Sequence, residues 1–212
     1  MRKFFFIGSI CFILFELMNV YFIMPMPGSQ RSDSIDIAYF LYRSRVNLRF
    51  LFLFSMGLGL LPALRTHRWL TLLSLALSGL AFWAANYNMA ADHMFYQPRS
   101  KFMATTSENR IGSEKLVLGV VNGDEARAYP IQLIAYHHQV LDTVAGKPLM
   151  VTYCSVCRTG RVFEPLVDGK PETFRLVGMD HFNAMFEDSR TGSWWRQATG
   201  EAVAGDLKGK FI

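Results

Sequence analysis

The sequence predicts a multi-span helical membrane region followed by a small, mainly antiparallel β domain of the α+β class with one helix. Two observations carry that prediction. Hydrophobic residues make up 51% of the 212 residues, and their excess lies before position 98. Beyond it, short β-branched runs alternate with Gly, Asn and Asp turns, the pattern of closely spaced strands.

Three apolar segments within residues 1–98 are expected to form transmembrane helices. Residues 4–24 are long enough, since about 20 helical residues cross the hydrocarbon core. Residues 48–64 are shorter and contain Gly57, Gly59 and Pro62, with Arg49 placed to snorkel to the interface. Residues 70–89 carry Trp69, Trp83 and Tyr87 near their ends as interfacial anchors. Two spans are the alternative count. Met1-Arg2-Lys3 ahead of an apolar run also has the outline of a secretory signal. The run is longer than a signal core, no small-x-small site precedes Pro25, and Ile10 before Cys11 speaks against a lipoprotein cysteine. A retained anchor is expected.

Arg2, Lys3, Arg65 and Arg68 suit a cytoplasmic N-terminus, although Arg31, Arg43 and Arg45 nearly balance the bias. With three spans the C-terminal domain is then extracytoplasmic, at the cell (inner) membrane. The net charge of +5 is mild and suits a membrane surface. No Lys/Arg run is interleaved with aromatics, so nucleic acid is not an expected partner. The lipid bilayer and a membrane or exported protein are.

Residues 99–114 read as a polar linker, and residues 115–212 as the soluble domain, long enough for a small core. Lys115 to Val121 and Glu125 to Tyr129 form a hairpin across Asn122-Gly123. Pro130 opens the single helix, with Ile131, Leu133, Ile134, His137, Val140 and Leu141 at roughly helical spacing. Leu149 to Tyr153 is a buried strand. Two pairs follow, 161–164 with 172–177 and 182–187 with 193–196.

Cys154 and Cys157 are the only cysteines outside the apolar third. Their spacing lets both sulfurs meet one metal ion or each other. A thioredoxin site places the first cysteine at a helix N-terminus, whereas this pair lies between strands. A c-type haem requires histidine after the second cysteine, and Arg158 stands there, so no such haem is expected. A tetrahedral site must recruit histidine: His137 or His138 from the helix, with His181 as a candidate fourth ligand. Adjacent helical residues diverge by about 100°, so His137 and His138 do not serve one ion. Two thiolates with imidazole suit zinc or copper. Arg158 favours thiolates, for a metal or for redox chemistry alike. A structural disulfide is the bland alternative, although so short a loop makes an inefficient staple. His138 is expected on a solvated face and Asp180-His181 in a polar turn. Trp194, Trp195 and the 11 methionines are expected as packing residues. There is no P-loop, G-x-S-x-G or H-E-x-x-H motif, so no catalytic residue is named.

The soluble part resembles the bacterial and archaeal family called domain of unknown function 3179. The resemblance lies in Asn122-Gly123-Asp124-Glu125-Ala126-Arg127-Ala128-Tyr129-Pro130, His137 before Asp142-Thr143, and Val151-Thr152-Tyr153-Cys154-Ser155-Val156-Cys157 followed by Gly160 and Phe163. It continues in Thr191-Gly192-Ser193-Trp194-Trp195-Arg196-Gln197 and Thr199-Gly200-Glu201-Ala202-Val203-Ala204-Gly205. It implies an exported or membrane-anchored domain, singles out His137 over His138, and supplies no function. His138 departs from an expected acidic residue, and the family pattern is expected to run beyond Ile212. The ligand set thus expected is Cys154, Cys157 and His137, holding zinc or copper in a metal-handling module. A thiol-disulfide protein acting on an exported partner is the alternative, and an interaction domain braced by its cysteines is the second.

Overall fold

The computed structural model describes residues 1–212, which separate into two units, 1–93 and 94–212.

The first unit is helical. α1 (Arg2–Tyr21) is followed by α2 (Ile35–Arg43) and the long α3 (Arg45–Trp83), which a π-helical turn extends through Asn88, with a short α4 (Ala91–Met94) beyond. α1 and the 45–88 helix are each long and apolar enough to cross a membrane. The longer one is broken at His67, which leaves the helical region at φ −140° and ψ 57°. Pro62, which cannot donate to the preceding turn, lies just ahead of the break.

Both halves of α3 pack on α1. Phe15 and Phe52 rings meet at 5.8 Å, while Ser9 and Ser78 hydroxyls bond at 2.9 Å and Phe12 stacks on Phe82 at 6.4 Å. The first half therefore runs antiparallel to α1 and the second parallel to it. Glycines permit the approach. A Cβ on Gly8 would sit 2.9 Å from the Phe52 carbonyl, and one on Gly59 would collide with the Phe5 backbone nitrogen.

Arg49 does not snorkel. Its guanidinium turns inward to a fully buried Glu16, with Nε to Oε1 at 2.6 Å and Nη2 to Oε2 at 2.8 Å. Asn86, on the π turn, accepts from Arg49 at 2.6 Å and donates to Glu16 at 2.9 Å. An acidic partner in the same apolar region makes inward pairing cheaper than reaching for water.

The second unit is the α+β domain. β1 (Val117–Asn122) and β2 (Glu125–Pro130) form the hairpin across Gly123, at φ 56°. α5 (Ile131–His137) is shorter than the periodicity suggested. His138 turns left-handed at φ 63°, and Val140 and Leu141 continue in β3 (Gln139–Val144), paired to β4 (Lys147–Cys154). Strand pairing overrides a helical spacing that β-branched Val140 supports weakly.

β5 (Thr159–Phe163) pairs with β4 across the cysteine turn, not with a later strand as the sequence suggested. β6 (Leu166–Val167) and β7 (Lys170–Pro171) make a small ribbon. β8 (Phe174–Asp180), β9 (Asn183–Asp188), β10 (Trp194–Arg196) and β11 (Ala202–Ala204) form an antiparallel sheet in the order β11-β10-β9-β8.

β4 is buried on both faces. Leu149 and Val151 join Val120, Tyr129, Ile134 and Val144 in one apolar cluster. Thr152, on the opposite side, meets Gln197 from beyond β10.

Candidate functional site

β4 ends at Cys154 and β5 begins at Thr159, so Cys157 lies in the four-residue connection that directly follows Cys154. Arg158 takes a left-handed conformation at φ 53° and closes it. Within the turn the Cys157 N–H donates to Cys154 Sγ at 3.4 Å. Thr159 Oγ1 donates to the Cys157 carbonyl at 3.1 Å, fixing the second half of the turn. Cys154 Sγ donates to the Phe182 carbonyl at 3.6 Å, which ties it to the β8–β9 hairpin.

The two sulfurs are unlike. Cys154 is fully buried, whereas Cys157 is half-buried. Burial, and then the neighbouring Cys157 thiol, push the Cys154 thiol above its ordinary range. Both are free thiols.

The hairpin tip touching Cys154 is His181-Phe182, closed by the pair Asp180 and Asn183. Both tip residues have positive φ, 47° and 63°, values that such tight hairpins usually assign to Asn-Gly. His181 Nδ1 bonds Asp180 Oδ1 at 2.6 Å, and Asn183 Nδ2 donates to the His181 carbonyl at 3.0 Å. Asp180 is in turn held by Arg196, whose Nε donates to Oδ2 at 2.7 Å. The polar turn expected here is thus a braced one.

His137 ends α5, and its Nδ1 meets the Tyr96 carbonyl at 2.7 Å. Its ring lies against those of Tyr96 and Tyr136, beside a groove walled by residues 98–117. His138 is buried rather than solvated, its ring 4.7 Å from that of Phe95. Burial lowers its pKa. The structure therefore brings Cys154 and Cys157 together, turns His137 Nδ1 to the Tyr96 carbonyl, and holds His181, next to the Phe182 that meets Cys154, through Asp180. No group of three or more His, Cys, Asp or Glu side chains is arranged to hold a metal ion. Two thiols alone do not fit the four-ligand site that zinc takes in structural roles.

Sequence reasoning missed the polar seam behind the cysteines. Gln197 Nε2 donates to Thr152 Oγ1 at 2.9 Å and to the Thr159 carbonyl at 3.0 Å, pinning β4 and the start of β5. Gln139 Nε2 donates to the Phe174 carbonyl at 2.7 Å. The Oε1 atoms of both glutamines are buried without a hydrogen-bond partner. The available signal was weak: Gln139 stands opposite Thr152 of the buried β4, but its same-face neighbours Leu141 and Thr143 are exposed. Asp188 is a second hub, accepting from the Thr191 and Ser193 N–H groups and from Trp195 Nε1 at 2.9 Å. That network explains Thr191-Gly192-Ser193-Trp194-Trp195 as a structural turn.

No curated protein and no solved structure matches the chain. Residues 97–212 match the family model described as "Protein of unknown function (DUF3179)". That match spans the cysteine turn, every β-strand and more than half of the sequence, and the chain belongs to the DUF3179 family.

Proposed function

We propose that this is a membrane-anchored dithiol protein whose Cys154 and Cys157 cycle between two thiols and an intramolecular disulfide, in exchange with an exported partner. One observation carries the reading: the Cys157 N–H donates to Cys154 Sγ within one short turn, with no third metal-binding side chain grouped beside them. The half-buried Cys157 is the attacking thiol and the buried Cys154 closes the disulfide.

The test is equilibration of the full-length protein, in detergent, across glutathione buffers. A reversible disulfide with a potential well above that of a structural bridge is expected. A pair that stays reduced, or stays oxidised, throughout would remove the reading.

A soft-metal reading, with zinc or copper held by Cys154, Cys157 and His137 or His181, is favoured by one contact. Asp180 orients His181 through Nδ1, the partner that metal-bound histidines commonly keep. It requires a histidine to move toward the sulfurs. One zinc or copper per chain, lost in Cys154→Ser, would support it over redox cycling. A purely bracing pair instead predicts that Cys154→Ser with Cys157→Ser damages folding alone.

The break at His67 divides the long helix into two antiparallel halves, which supports three spans and an extracytoplasmic domain. An impermeant maleimide should then label Cys157 in intact cells, and labelling only after lysis would reverse the orientation.

A further inference from the structure

The outer edge of β5 lies beside the cysteines and is open. β5 is terminal in its sheet, whose order is β3-β4-β5. The Tyr153 N–H donates to the His138 carbonyl, so Tyr153 turns its main-chain groups toward the β3 side of β4. Successive residues of a strand bond to opposite sides, so Cys154 and Thr152 turn theirs toward β5. Their partners Thr159 and Arg161 face inward. The side chains agree: Gln197 reaches the Thr159 carbonyl and Thr152 reaches that of Arg161.

Gly160 and Val162 therefore aim N–H and C=O out of the sheet. Both are exposed, and neither makes a main-chain hydrogen bond on that side. Natural edges are usually blunted by proline, a bulge or an outward charge. β5 has no proline and an unbroken register from Thr159 to Phe163, and the Arg161 Nε is spent on the Ala198 carbonyl at 2.8 Å. Gly160 makes room for the Leu118 side chain, which fills the space a Cβ there would take.

We infer that this edge docks an extended, acidic, cysteine-containing polypeptide segment by strand addition and delivers its sulfur to Cys157. The inference rests on the dithiol reading. Strand addition draws affinity from main-chain bonds. The edge starts two residues after Cys157, so a strand laid on it passes the thiol. Arg158, exposed between Cys157 and the start of β5, gives this end of the strip a positive charge that selects an acidic segment.

The partner arrives as a disulfide. Cys157 thiolate attacks one of its sulfurs, forming a Cys157–partner disulfide and expelling the other as thiolate. Cys154 thiolate then attacks Cys157 Sγ, closes the intramolecular bond and releases the partner's remaining sulfur. Two electrons pass from this protein to the partner.

The experiment compares two probes on the reduced full-length protein in detergent. One is Ellman's reagent, which needs no docking. The other is an extended acidic peptide whose single cysteine is activated as its thionitrobenzoate disulfide. Val162→Pro removes an outward N–H that the β4–β5 ladder does not use. It should slow peptide reaction about tenfold and leave Ellman's reagent unaffected. N-methylation of the peptide backbone should slow the unaltered protein similarly, which guards against a folding defect in Val162→Pro. Equal rates for methylated and unmethylated peptides would overturn the docking strip while leaving the dithiol reading intact. Failure of Cys157 to react with either probe would overturn both.

Discussion

Cys154 and Cys157 share a turn but not an environment, and their reactivities should separate accordingly. The raised Cys154 pKa leaves less thiolate at neutral pH, and burial restricts access. Iodoacetamide at pH 7 should modify Cys157 at least about tenfold faster than Cys154, as read by peptide mass spectrometry. On the dithiol reading the disulfide-closing step uses the Cys154 thiolate, so its rate should climb with pH beyond the ordinary thiol range. A closing rate independent of pH would assign the step to another group. His138 titrates in the opposite sense to a stabilised ion pair. Its folded pKa lies below the unfolded value near 6.5, so between the two values the unfolded chain holds more protons. Stability is present above about pH 6.5 and is lost as pH falls through the folded value. His138→Asn keeps a residue that tolerates the left-handed backbone and removes the titration. Its melting temperature should fall less than that of the unaltered protein between pH 7 and pH 5.5. Parallel declines would mean that another group dominates the acid response.

At the scale of elements, the apolar bundle depends on two close approaches and one ion pair. Truncating Arg49 to Ala leaves Glu16 buried and unpaired, a change that costs about 3–5 kcal/mol in a protein interior. Gly59→Leu forces a side chain into the Phe5 backbone and should cost about 1–3 kcal/mol or more. Both effects are measurable by denaturant titration of the detergent-solubilised protein. A bundle indifferent to Arg49→Ala would show that the Glu16–Arg49 pair does not hold these helices together. Part of this architecture was legible: a long apolar stretch announces its helix, and Asn122-Gly123 announces its hairpin. The Glu16–Arg49–Asn86 contact was not, because it joins residues distant in sequence and Arg49 alone looked interfacial. The end of α5 was hidden for a different reason. Val140 fits helical spacing and strand alternation equally, and only pairing with Val151 decides between them. The cysteine spacing marked the candidate site, but it could not show that His137 is engaged by Tyr96 and His181 by Asp180.

For the whole molecule, an apolar helical unit with two helices long enough to cross a membrane precedes a β domain with a buried polar seam. In the domain, the Gln139 and Gln197 amides fasten one sheet to the other. Gln197 pins the start of β5 beside the cysteine turn, and Cys154 Sγ meets the Phe182 carbonyl of the β8–β9 tip. Gln197→Ala should therefore loosen the turn, raising the alkylation rate of buried Cys154 several-fold while changing that of Cys157 little. Unchanged protection of Cys154 would place its burial in the surrounding apolar residues instead. The most direct test of the central claim is the redox equilibrium of the full-length protein, with the Cys154–Cys157 bond quantified by mass spectrometry across glutathione buffers. The dithiol account predicts a single reversible two-electron transition, abolished by Cys154→Ser or Cys157→Ser. A pair locked in one state across the whole range, or a disulfide linking different cysteines, would contradict it.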